Sequence, residues 1–99
     1  MSVRIIATGS GIPSIRMTNE ELSKRVDTTD EWIRSHTGIG NRHYAEDGQM
    51  ASDLGAIAAK AALKKAGLSA ADVDVIVLAT ATPDYFGFPS TACILQDKI

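Results

Sequence analysis

Two stretches of the chain are apolar at almost every position, Val3-Arg4-Ile5-Ile6-Ala7 and Val73 to Thr80. β-Branched residues are frequent in both, so each predicts a strand, the first one buried and ending in a turn over Thr8–Pro13. The second is continuous enough for a strand of a parallel sheet covered on both faces. Between them, Met50 to Ala66 repeats Leu54, Ile57, Ala58 and Ala61 at helical spacing, with Lys65 at the solvent edge. Alanine, the strongest helix former, recurs through this stretch, and its small side chains imply close approach of another backbone. Gly67 is the expected stop, with Leu68 as its hydrophobic follow-on. Strand, long helix and strand in that order predict a right-handed βαβ unit.

Shorter polar-apolar patterns fill the rest. Thr18-x-x-Glu21 has capping-box spacing and opens a helix with Leu22 and Val26 as its apolar pair. Thr28-x-x-Glu31 repeats the signal before Trp32, and Asp30 and Glu31 suit the first turn of a helix that Thr37-Gly38 should end. Gly38 to Ala45 reads as a short irregular extended piece. Ser69–Asp72 is a short capped turn. The loop Ala81–Phe88 leaves the end of the second strand, where open α/β sheets bind ligands. Pro89 suits the first turn of a last helix with Thr91, Ala92, Leu95 and Ile99 as its buried stripe.

Composition narrows the class. The 99 residues allow at most one domain, and 44% hydrophobic and 22% charged residues with net charge −2 describe an ordinary globular chain. No basic excess points to nucleic acid, and no apolar run approaches the ~20 residues that span a bilayer. The apolar run after Met1 is too short for a secretory signal, and the single cysteine, Cys93, permits no internal disulfide, so a cytoplasmic location is the default expectation. Asp97-Lys98-Ile99 carries no helix stop, which suggests the N-terminal piece of a larger fold.

Few residues carry chemistry. Gly9-x-Gly11 lacks the third glycine of a dinucleotide fingerprint. His36 and His43 have no partner at metal spacing, so no metal site is expected. The carboxylate pairs Glu20/Glu21, Asp30/Glu31 and Asp72/Asp74 have no apolar setting that would raise a pKa. Cys93 falls inside the last helix and reads as a packed structural residue. Trp32, the only tryptophan, has two readings: the core anchor of a small helix, or an aromatic plate beside Arg34 and His36 for stacking adenine and steadying phosphates.

The order and spacing of Gly9-Ser10-Gly11-Ile12-Pro13, Thr18-Asn19-Glu20-Glu21-Leu22, Val26 to Ile33, Thr37-Gly38-Ile39, Arg42-His43 and Phe88 to Cys93 resemble β-ketoacyl-acyl-carrier-protein synthase III over essentially the whole chain. The resemblance implies an α/β thiolase-like fold of βαβ units, with a mixed, mostly parallel sheet between helices. Residues 1–99 would be its truncated N-terminal portion. It implies a homodimer that condenses an acyl-CoA primer, of acetyl-CoA type, with malonyl-acyl-carrier protein to begin fatty-acid synthesis. CoA thioester is then a substrate, and no cofactor, nucleic acid or membrane is expected. By position, Trp32 resembles the residue that stacks on the CoA adenine and Thr28 one that hydrogen-bonds near that base. Phe88 stands where the family places a phenylalanine that crosses the dimer interface to close the partner's acyl pocket.

Departures from the pattern matter. His36 replaces an arginine that helps hold CoA, and Gly40 stands where another arginine is frequent, so a permanently charged fork is given up. Arg34 and Arg42 are the nearby cations that could compensate. The family nucleophile belongs to an Ala-Cys-x-Gly-Phe type of motif absent from these residues, so Cys93 is not its counterpart and no catalytic residue is expected here. Two other readings remain: a secondary-metabolism ketosynthase or hydroxymethylglutaryl-CoA-synthase-like enzyme, and a non-catalytic α/β binding module.

Overall fold

In the computed structural model, which describes residues 1–99, strand β1 (Ile15–Thr18) leads into helix α1 (Asn19–Ser23) and helix α2 (Asp30–Thr37). Strand β2 (Asn41–Tyr44), helix α3 (Ala51–Ala66), a 3-10 turn (Ala70–Asp72) and helix α4 (Thr91–Lys98) follow. The chain divides into two compact units, Ile12–Gly48 and Met1–Gly11 with Gln49–Ile99.

In the Ile12–Gly48 unit, β1 and β2 pair antiparallel, with Ile15 opposite Tyr44 and Thr18 opposite Asn41. The extended piece expected over Gly38–Ala45 thus contains a true strand, whose partner the local pattern did not predict. Thr18 ends β1 and caps α1 as expected: Glu21 N–H donates to Thr18 Oγ1 (3.2 Å) and Thr18 N–H donates back to Glu21 Oε2 (2.8 Å). Those bonds hold the Glu21 carboxyl below its ordinary pKa. Val26 is exposed, so the apolar pair expected of α1 does not close. Asn19, 1% exposed, is the polar centre of the unit. Its Nδ2 donates to Asp30 Oδ1 (2.7 Å) and the Ile39 carbonyl (2.8 Å), its Oδ1 accepts from Arg42 Nη2, and its N–H donates to the Gly40 carbonyl (3.2 Å). One buried side chain therefore ties α1 to the start of α2 and to β2, with its donors and acceptor all satisfied.

In the other unit, α3 ends on left-handed Gly67 (φ 69°), and Leu68 N–H donates to the Leu63 carbonyl (3.0 Å), the predicted stop. The expected close approach also exists. A Cβ placed on Gly9 would meet the Ala58 carbonyl oxygen at 2.1 Å, and one on Gly11 would meet the Leu54 carbonyl oxygen at 2.1 Å. Only glycine lets that segment lie on the helix backbone. The helix buries Ser52 and Ala56 while Ile57 is exposed, so its core stripe is rotated from the expected one toward α4, where Leu95 is buried. Ser52, fully buried, donates from N–H to Asp84 Oδ1 (3.0 Å) and from Oγ to Asp84 Oδ2 (2.5 Å). Lys98 Nζ donates to Ser52 Oγ (2.6 Å) and Asp53 Oδ1 (2.5 Å), which clamps α4 to the start of α3.

Three local expectations are corrected. Val3–Ala7 and Val73–Thr80 carry no ladder hydrogen bonds, because a strand exists only with a neighbour that accepts its backbone groups, and the one ladder in the chain is β1–β2. Val3 and Ile5 are exposed, and Val75 and Val77 point out while Ile76 and Leu78 are half-buried, so only one face of the second run is covered. Pro89 precedes the cap of α4 instead of opening the helix, since Ser90 is the cap and accepts from Cys93 N–H (3.2 Å). Cys93 is exposed, because the stripe of α4 facing its unit is Thr91 and Leu95.

Candidate functional site

The start of α2 decides where Trp32 points. The cap is Thr29, not Thr28 as the capping-box spacing suggested: Trp32 N–H donates to Thr29 Oγ1 (3.1 Å). The helix register then turns Ile33 into the core, 8% exposed, and leaves the Trp32 ring 56% exposed. The buried anchor of the helix is therefore Ile33, and Trp32 is exposed.

Thr28, relieved of the cap, keeps a buried Oγ1 with no hydrogen-bond partner. It lines an open pocket of about 190 Å³ with Asp27, Thr29 and Trp32. A pocket walled by an exposed indole and by polar side chains is a place for a ligand that is both flat and polar.

His36 lies one turn beyond Trp32, and the two rings stack at 4.2 Å with 20° between their planes. His36 Nδ1 is 2.8 Å from the Trp32 carbonyl oxygen and 3.1 Å from Ser35 Oγ. A carbonyl only accepts, so Nδ1 is the protonated nitrogen.

The two arginines near these residues have other work. Arg34 Nε donates to both oxygens of Asp30 (2.9 Å each), two positions from Trp32 and so on the opposite side of α2. A Cβ on Gly40 would press on Arg34 Nη2 at 2.8 Å, so Gly40 makes room for that guanidinium. Arg42 is held by Asn19 and the Met17 carbonyl. Asp30, bonded first by the Asn19 amide and then by Arg34, sits below its ordinary carboxyl pKa. Asn19, which local patterns did not single out, thereby fixes the first residue of α2.

Elsewhere, Tyr85, Phe86 and Phe88 are all exposed, Phe88 at 94%. The Cys93 thiol accepts from Ser90 Oγ at 3.1 Å and has no basic partner, so it lacks the activation a nucleophile needs. No cluster of three His, Cys, Asp or Glu side chains could hold a metal ion, and no helix is long and apolar enough to cross a membrane. The geometry around Trp32 suits an aromatic, polar ligand.

No family model matches the chain. It is 53% identical over 91 residues to the β-ketoacyl-[acyl-carrier-protein] synthase III of Sulfurovum sp., a match that covers 92% of this chain and 27% of that protein. The crystal structure of 3-oxoacyl-[acyl-carrier-protein] synthase III from Aquifex aeolicus superposes with TM-score 0.86 and 46% identity, over 95% of this chain and 30% of that one. The priming β-ketosynthase of the R1128 polyketide biosynthetic pathway matches with TM-score 0.86 and 29% identity, over 96% of this chain and 28% of that one. The chain therefore has the α/β, thiolase-like class of these structures, and it spans less than a third of the length of the proteins it matches.

Proposed function

We propose, from the premise that the chain belongs to the β-ketoacyl-[acyl-carrier-protein] synthase III family across the matched segment, that it is the CoA-binding part of a fatty-acid-initiating condensing enzyme. Residues 1–99 form a portion of one ketosynthase domain. The complete enzyme, a cytoplasmic homodimer, joins an acyl-CoA primer to malonyl-acyl-carrier protein. Trp32 stacks on the adenine, Thr28 supplies a hydrogen bond beside it, and His36 completes the platform. Phe88 crosses to the partner subunit and closes its acyl pocket. The thioester chemistry belongs to residues outside this segment. No resident cofactor takes part.

The observation that carries this reading is the exposed Trp32 ring beside a pocket with the unpartnered Thr28 hydroxyl. Calorimetric titration of CoA into the full-length protein and its Trp32→Ala variant tests it. Loss of the stack is expected to weaken binding by about 1–3 kcal/mol. Equal affinities for the two proteins would remove Trp32 from the site.

A second reading has support in the polyketide priming synthase, whose fold matches as well as that of the Aquifex enzyme, and in His36 at the arginine position. It differs in primer. Comparing condensation rates with acetyl-CoA and longer acyl-CoA primers separates the two, since a fatty-acid initiator of acetyl type loses rate with chain length.

A further inference from the structure

The Trp32 ring carries His36 stacked on it and remains 56% exposed. The pocket walls, Asp27, Thr28 and Thr29, come from the turn before Trp32. His36 comes from the turn after it and stacks on the indole. His36, itself exposed, is held by hydrogen bonds: Nδ1–H is shared by the Trp32 carbonyl oxygen (2.8 Å) and Ser35 Oγ (3.1 Å). The Ser35 hydroxyl donates in turn to the same carbonyl (3.0 Å). In the neutral ring this leaves Nε2 with a lone pair, which repels a phosphate instead of binding it.

We propose that His36 is a positioning residue that acts through Trp32. It holds the indole as a preset plate for a purine and does not itself grip phosphate. The inference rests on the nucleotide-binding reading of the site and deepens it: adenine nucleotides are recognised here by base stacking on an ordered ring, without fixed charge at this position. A plate ordered beforehand costs no side-chain entropy when the base arrives.

CoA titrations into the full-length protein and its His36→Ala, His36→Phe and Trp32→Ala variants test the idea. His36→Ala frees the indole and is expected to weaken CoA about three- to tenfold, the cost of ordering one side chain on binding. His36→Phe keeps a stacking ring while removing both nitrogens, and it is expected to bind within about twofold of the parent, a residual smaller than one ordered side chain. A His36→Phe protein as weak as His36→Ala would overturn the proposal, because a nitrogen would then be making the contact. An unchanged affinity in His36→Ala would overturn it as well. If Trp32→Ala also binds like the parent, the nucleotide-binding reading itself fails, which is a different result from loss of the His36 role alone.

Discussion

Two adjacent threonines divide the work at the start of α2. Thr29 satisfies the Trp32 N–H, and Thr28 is left with a buried hydroxyl that nothing in the chain satisfies. Such a group is a cost in the free protein, and the proposed function gives it a partner in the bound one. Thr28→Val keeps the shape and deletes the hydroxyl. The free protein is expected to be unchanged or slightly more stable, while CoA binding weakens by about 0.5–1.5 kcal/mol, one net hydrogen bond. Thermal unfolding without ligand, paired with CoA titration, checks both halves, and a loss of stability without a loss of affinity would make Thr28 purely structural. Trp32 and Thr28 were legible as candidates through the resemblance to the synthase family, on residues that each also fit a core or capping role. Which threonine would cap was not, because two capping types side by side leave the helix register open by one residue, and only tertiary packing of Ile33 settles it.

At the scale of elements, local chemistry was the readable part. The box at Thr18, the stop at Gly38 (φ 71°) and the stop at Gly67 each need only a few neighbouring residues. The β1–β2 ladder joins Ile15 to Tyr44 and Thr18 to Asn41, the Asn19 hub reaches from Asp30 to Arg42, and no local periodicity encodes such distant pairing. The same hub predicts a pH dependence for α2. Asp30 is held below its ordinary carboxyl pKa by Asn19 first and Arg34 second, and Asp53 likewise by Lys98 and then the Met50 N–H. A carboxyl depressed in the folded state adds stability above its unfolded pKa, about 4, and loses it as the pH falls through the lower folded value. Asp30→Asn should therefore melt below the parent at neutral pH, with the gap narrowing as the pH is lowered beneath about 4. Melting temperatures of both proteins from neutral to acid pH provide the check. A gap that stays constant across the range would mean that the Asp30 charge contributes nothing to the fold.

Across the whole molecule, the apolar surface is the dominant fact. Val3, Ile5, Val75, Val77, Phe86 and Phe88 are exposed, and both apolar runs leave backbone groups without ladder partners. Unpaired strand-forming segments with outward β-branched side chains are templates for pairing with another chain. A net charge of −2 offers little repulsion to oppose it. In the proposed reading a complete ketosynthase domain would cover these faces, and the runs that read as buried strands in the sequence are bare within residues 1–99. The 99-residue chain on its own is therefore expected to self-associate, and Val75→Lys with Val77→Lys should reduce that association by placing charge on the exposed face, as edge lysines do in natural sheets. Sedimentation velocity over a concentration series measures it. A monodisperse monomer with a sharp, cooperative thermal transition would show that the segment meets its own stability needs, and would shift weight toward an independent binding module. Association relieved by the two lysines would locate the contact on the Val75–Val77 face, opposite the half-buried Ile76 and Leu78.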